Sequence, residues 1–165
     1  MLYQVRRFGQ KMAVAYSMTQ DSKTSGEQTK CLTLLESAER IFYDRLDDAI
    51  RSASMFDETE YKAFCQGSIS FGNKEEAQKK KDIYKGIVST VDKVVHDNER
   101  LILRLDSLAY ALNQRSAQNP WDTEVVLAMS KLDAVINKTT QDIEQDEEIS
   151  REAMKQYDTL KGEVK

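Results

Sequence analysis

The sequence predicts an all-α fold, an elongated antiparallel three-helix bundle of coiled-coil character with a short extra helix in its first connection. Two observations predict this fold. Charged residues make up 32% of the chain, with only six Gly and one Pro, a composition typical of long helices. In addition, one apolar period of alternating three and four residues runs unbroken through the middle of the chain, as in a helix that packs against other helices. Its positions are Tyr84, Ile87, Val91, Val94, Asn98, Leu101, Leu105, Leu108 and Leu112.

The first segment differs in charge from the rest of the chain. Residues 1–20 hold three basic residues and no acidic one, so a leader (1–21) is predicted in front of a bundle domain (22–165). On a helix its apolar and basic residues would lie on opposite faces, which is typical of helices that lie flat on an anionic membrane. A targeting segment or a helix folded back on the bundle would show the same pattern. The residues of the membrane hypothesis are Leu2, Val5, Arg6, Arg7, Phe8, Lys11 and Met12.

The first long helix is predicted to begin near Ser25. Ser25 and Gln28 have the spacing of a capping box, and the apolar pattern that follows extends over about 29 residues, or roughly 43 Å. Its apolar face is wide, which indicates that this helix packs against more than one neighbour. The face consists of Leu32, Leu35, Phe42, Leu46, Ala49 and Ala53, widened by Leu34, Ile41 and Ile50.

The connector after this helix is the most apolar connector in the chain. Asp57 and Glu60 give a second capping signal and predict a short helix, and the two glycines that follow allow the chain to reverse. Phe64 and Phe71 then have two possible roles. They plug the end of the bundle, or they form an exposed docking patch.

The central helix is predicted over Asn73 to Ser116, about 65 Å long at the usual rise per residue. Beside its main seam runs a second apolar stripe, so the helix should pack against two partners. Asn98 is the polar residue of the main seam. A buried Asn at such a position fixes register or partner choice, whereas an Asn at the bundle edge binds water. The second stripe consists of Val88, Val95, Ile102 and Ala109.

The third long helix is predicted to start at Asn119, as the cap, followed by Pro120 at the first helical position. Polar residues such as Thr139 occupy seam positions in its middle, which indicates incomplete packing there. An acidic cluster in the same region could receive a basic partner, although acidic runs on long helices are usually solvated. The cluster consists of Asp142, Glu144, Asp146, Glu147 and Glu148.

Several functional classes are excluded by composition. The net charge of −4 gives no basic face for nucleic acid, and no apolar run reaches the ~18 residues that cross a bilayer. Cys31 and Cys65 form no disulfide framework or zinc motif, which favours free thiols and a cytoplasmic location. His96 is the only histidine, and no phosphate loop or nucleophile motif is present, so we expect no metal, no cofactor and no enzymatic activity.

Two classes of function remain. The first is a non-catalytic structural or adaptor protein that acts through helix–helix contact with a protein partner or a second copy of itself, as a homodimer. The alternative is a peripheral membrane protein that uses residues 1–18 as an amphipathic interfacial anchor. The leader distinguishes the two classes, because only the second requires it to touch lipid.

Overall fold

The computed structural model describes residues 1–20, 26–67, 74–115, 119 and 121–162. Side chains are described for the same residues except 74, 76, 146, 147 and 149–162. Every regular element in these ranges is an α-helix, and none of the residues described forms a strand. The all-α prediction is therefore confirmed.

The described residues form five helices in chain order: α1 (Leu2–Gln20), α2 (Gly26–Ser54), α3 (Glu58–Cys65), α4 (Lys74–Gln114) and α5 (Thr123–Gly162). The three long helices have close to the predicted lengths, with 29 residues in α2, 41 in α4 and 40 in α5. The caps predicted at positions 25 and 73 lie outside the described residues.

The short helix α3 begins as predicted. The Asp57 side chain accepts a hydrogen bond of 2.8 Å from the backbone N–H of Glu60, which satisfies one of the free amide groups of the first turn. Gly67 follows the helix with a φ of 70°, a left-handed conformation that glycine adopts without steric cost. This glycine therefore ends the helix, as the sequence indicated, while the second glycine of that prediction lies outside the described residues.

The start of α5 differs from the prediction. Asn119 is not the cap, because Trp121 lies in a turn and the helix begins only at Thr123. The Asp122 carboxylate instead accepts the backbone N–H groups of Glu124 and Val125, each at 3.0 Å. A carboxylate at this position satisfies two free amides and interacts favourably with the helix dipole, so the cap lies three residues later than predicted.

The helix α1 runs parallel to α4 and antiparallel to α2. Near the start of α1, the Gln4 Nε2 donates a 2.9 Å hydrogen bond to the Val95 carbonyl. Near its end, the Arg115 guanidinium donates to the Met18 carbonyl. Contacts with α2 run in the opposite order, since Phe8 meets Phe42 and Thr19 meets Cys31. The helices α2 and α4 are therefore antiparallel, and α5 packs along both of them.

One core is shared by α1, α2, α4 and α5. It lies at the end of the bundle where α1 runs beside α2 and α4, so α1 is an integral part of this core. The seam predicted along α4 is confirmed, because eight of its nine residues are buried and Val91 is half-buried. The core consists of Phe8, Met12 and Ala15 of α1, Cys31, Leu35, Ala38, Ile41 and Phe42 of α2, Leu101, Ile102, Leu105, Leu108, Ala111 and Leu112 of α4, and Val125, Ala128, Met129, Leu132, Val135 and Ile136 of α5.

Candidate functional site

The most informative surface is the groove between α2 and α4 that receives α1. In this groove the Phe8 ring stacks on Phe42 with 3.9 Å between ring centroids and meets the edge of Tyr43 at 6.1 Å. Burying an aromatic side chain of this size stabilises the packing by about 1.5–3 kcal/mol. The helix α1 therefore lies in the groove as an amphipathic helix lies in the groove of a binding protein.

A row of acidic residues on α4 borders the groove. The Glu99 carboxylate accepts from Arg7 Nη1 at 3.0 Å and from Gln4 Nε2 at 3.1 Å, and Asp106 forms an ion pair with Lys11. These ion pairs are partly exposed to solvent, so each contributes only about 0–1 kcal/mol. Their main effect is to fix the register of α1 along α4.

The residues of the membrane hypothesis have different surroundings in α1. Phe8 and Met12 are buried and Val5 packs against the core, Arg7 and Lys11 are in ion pairs with α4, and Leu2 and Arg6 are exposed. The apolar face of α1 is therefore covered by α2 and α4. This face can reach lipid only if α1 leaves the bundle.

The groove continues beyond α1, and we call this continuation the open groove. On α4, Val88 lies one heptad before Val95, which contacts Gln4, and its side chain is 51% exposed. On α2, Ile50 lies one heptad after Tyr43, which contacts Phe8, and it is 54% exposed. Residues one heptad apart lie on the same helix face, so both walls of the α1 groove extend past the helix that fills it.

The edge of the open groove is charged. On α4, Lys81 and Lys85 lie near its far end, and Asp92 lies closer to α1; all three are exposed. Among the described residues, none of the three has an ion-pair partner. Asp92 lies one heptad before Glu99, so it continues the row that holds the basic residues of α1.

The helix α3 packs over α4 at the far end of the bundle. The Tyr84 ring lies 5.2 Å from the rings of Phe56 and Tyr61, and its hydroxyl donates a hydrogen bond to the Glu60 carboxylate. This hydrogen bond raises the pKa of Tyr84 to about 12. The hydrogen bond from Tyr84 and the Lys80 ammonium at 3.0 Å hold the pKa of Glu60 below its usual value. The contact therefore depends on a neutral tyrosine and an ionised glutamate.

A polar layer crosses the bundle beside the core. Asn98 is fully buried, and neither amide atom has a hydrogen-bond partner among the described residues. Next to it on α4, the buried Asp97 accepts from Arg45 of α2 at 2.9 Å. The burial of Asn98 agrees with the seam position read from the sequence. Its role in register stays a prediction.

The other interaction candidates are more dispersed. Phe64 is half-buried on α3, and Phe71 lies outside the described residues. In the acidic cluster, Asp142 is half-buried, whereas Glu144 and Glu148 are exposed, and the side chains at positions 146 and 147 are not described. Thr139 in the same region is buried, so the middle of α5 is covered at least to this point.

The cysteines and the histidine have separate surroundings. Cys31 is buried beside Thr19, and burial raises the pKa of its thiol. Cys65 is exposed on α3. The exposed His96 places its Nδ1 2.9 Å from the Asp92 carbonyl, while the nearby Glu99 carboxylate interacts with α1.

Sequence reasoning did not identify the open groove. Val88 appeared in the second apolar stripe of α4, and Ile50 appeared as part of a core face. The sequence did contain one signal, which is a difference in length between the second stripe and α1. The stripe continues for two heptads before Ile102, whereas α1 has only 19 residues and is too short to cover all of it. The burial of the stripe falls along this direction, from Ile102 through the half-buried Val95 to Val88.

Comparisons with protein families, curated proteins and solved structures find no match to this chain. None of the helices in the described part of the chain is long and apolar enough to cross a membrane.

Proposed function

We propose that this protein is a non-catalytic helical adaptor that holds a helix of a protein partner in the open groove. One observation carries the proposal. The groove that binds α1 through an apolar floor and a charged edge continues past α1, and its apolar walls at Val88 and Ile50 remain exposed there. A groove already suited to one amphipathic helix can accept a second helix in line with the first.

The shape of the bundle supports this role. We regard α2, α4 and α5 as an elongated antiparallel three-helix rod on which α1 occupies part of one face. The α4 helix of 41 residues extends over about 60 Å, and α1 with its 19 residues extends over about half of that length. A rod of this kind holds the bound partner helix at a fixed position along its length and in a fixed orientation.

Photo-crosslinking tests the proposal at a defined position. A benzophenone amino acid replaces Val88 in the full chain, and the matched control carries it at Leu103, which lies on the same helix with a similar exposure of 56%. Leu103 follows Ile102 on the part of α4 that α1 covers, so it lies outside the open groove. We expect a discrete crosslinked species in the source cells from position 88 and none from position 103.

An Ile50→Glu substitution in the opposite wall provides the second control. It should abolish the crosslink at position 88, because the partner helix would then face a charge in an apolar wall. Equal crosslinking from position 103, or a crosslink that persists with Glu at position 50, would contradict the proposal. A product of twice the 18.9 kDa chain mass would identify a second copy as the occupant.

The membrane hypothesis has less support. The apolar face of α1 packs in the bundle core. Lipid binding through this face would therefore require the loss of those contacts. Co-sedimentation of the full chain, but not of a chain starting at Asp21, with anionic vesicles would favour the membrane role over the adaptor role.

A further inference from the structure

We infer that α1 is a displaceable occupant of the α1 groove, and that the partner is a basic amphipathic helix which enters at the open groove and replaces the first half of α1. This inference rests on the proposed function and names the chemistry of the partner. It is carried by the short length of the open groove, by the different anchoring of the two ends of α1, and by the acidic edges of the α1 groove.

The open groove is too short to hold a stable helix by itself. On one side, α3 and the residues before it already cover Tyr84 through Phe56 and Tyr61. On the other side, α1 begins opposite Val95. The free part of α4 between these limits has about ten residues, or roughly 15 Å. Helices of fewer than about 12–15 residues are marginal in water, so a bound helix needs further contacts, and those in line with it are made by α1.

The end of α1 is firmly attached to the bundle. The Arg115 guanidinium donates to the Met18 carbonyl. The Gln28 Nε2 donates to the Thr19 carbonyl at 3.0 Å. These hydrogen bonds satisfy carbonyls that the end of a helix leaves free, and the Thr19 side chain is itself buried beside Cys31.

The start of α1 is held by contacts that another basic helix can reproduce. Leu2 is 90% exposed, and Gln4 and Arg7 bind the partly exposed Glu99 carboxylate. Phe8 is the first large apolar side chain of α1 that is fully buried. We therefore expect α1 to open from its start while its end stays attached.

Both edges of the α1 groove are acidic. On the α2 edge, Glu36 and Glu39 lie close to Tyr16 of α1; burial raises the pKa of Tyr16, and these two carboxylates raise it further. Residues 1–20 contain no acid, in agreement with a groove that selects positive charge. The residues of the α4 edge lie at heptad spacing and are Asp92, Glu99 and Asp106.

Covalent attachment makes α1 a selective barrier. A tethered helix has an effective concentration on the order of millimolar, so a helix that offers only the contacts of α1 does not displace it at lower concentration. A partner helix that also packs on Val88 and Ile50 has additional contacts, and these two residues are exposed before α1 moves.

Hydrogen exchange of the full chain tests whether α1 opens independently. Amides of residues 5–12 should exchange at least about tenfold faster than those of residues 101–108 in α4, because local opening requires less free energy than global unfolding. Equal protection of the two segments would overturn the inference, since α1 would then leave only when the whole bundle unfolds.

A labelled peptide of residues 1–20 is the probe for a basic helix. Fluorescence anisotropy should show that it binds the full chain carrying Phe8→Ala at least about tenfold more tightly than the parent chain, because the weakened α1 competes less well. If the Phe8→Ala chain does not fold, Arg7→Glu in the chain weakens α1 at Glu99 without changing the core, and the same result is expected.

The charge requirement is tested with a second peptide that carries Arg7→Glu. It should bind the weakened chain about fivefold less tightly than the native peptide. Glu99→Lys in that chain should reverse the preference. Asp133→Lys, the same charge change at an exposed position of α5, should leave the preference unchanged.

The outcomes separate this inference from the proposed function. It is overturned if neither weakened chain binds the peptide, if parent and weakened chains bind it equally, or if the two peptides bind equally. A dimer of the parent chain that excess peptide dissociates would identify α1 of a second copy as the occupant and would overturn the partner helix. With any of the first three results, a crosslink from position 88 that requires Ile50 still supports the adaptor role. The absence of that crosslink removes the adaptor role and this inference with it.

Discussion

The two ends of α4 have similar apolar patterns but different coverage. Toward its end, the second stripe is buried at Ile102 and Ala109, where α1 fills the groove. Toward its start, the same stripe is exposed at Val88, and α3 covers only the adjacent seam at Tyr84. The comparison shows that an apolar stripe specifies a face suited to packing. Which part of the face is packed within the chain depends on the length of the neighbouring helix.

The comparison can be tested first within the stripe itself. Ile102→Ala removes a fully buried side chain and should lower the free energy of unfolding by about 2–5 kcal/mol, because it leaves a cavity in the core. Val88→Ala, the matched change at the exposed end, should stay within about 0.5 kcal/mol of the parent. Urea unfolding measures both. Similar losses at the two positions would mean that the open groove is occupied within the chain.

The polar layer between the two ends is the second test. Asn98→Leu removes a buried amide that has no partner among the described residues, so it should stabilise the fold by about 1–2 kcal/mol and raise the melting temperature. If Asn98 fixes register, the same change should broaden the distribution of oligomers seen by sedimentation velocity. Asn113→Leu, at an exposed position of α4, is the control. A single unchanged species would show that Asn98 has no role in register.

The smallest effect is the pH dependence of the α3 contact. The raised pKa of Tyr84, from 10.0 to about 12, stabilises the folded state below pH 10, and this contribution is lost as the pH rises toward 12. The lowered pKa of Glu60, from 4.5, acts in the opposite direction, so its contribution is present above pH 4.5 and is lost as the pH falls below it. Packing of α3 should therefore be strongest between these limits.

Alkaline absorbance titration checks the tyrosine part of this prediction. The difference between the parent and Tyr84→Phe should show one tyrosine that ionises near pH 12. A difference curve centred near the ordinary value of 10.0 would show that the hydrogen bond to Glu60 is not formed in solution.

The sequence predicted the helices well because their signals are local. The seam of α4 and the cap of α3 depend on residues a few positions apart, such as Asp57 and Glu60. The position of α1 depends on contacts between residues about 90 positions apart, such as Gln4 and Val95, and no local pattern encodes them. Val88 and Val95 occupy equivalent positions of the second stripe, so the local pattern cannot distinguish them, although of the two only Val95 is in contact with α1. The cap of α5 was misplaced because Asn119 and Asp122 both have side chains suited to capping, and the turn at Trp121 decides between them.

The parallel packing of α1 on α4 also constrains how the chain folds as it is made. A ribosome that adds about 5–20 residues per second needs roughly 5–20 seconds to proceed from Gln4 to Val95, which are 91 residues apart. During this interval α1 can form a hairpin only with α2, through Phe8 and Phe42. Until α4 emerges, the acidic partners of Arg7 and Lys11 have not yet been synthesised, so these two basic residues and the part of the apolar face of α1 that packs on α4 stay uncovered.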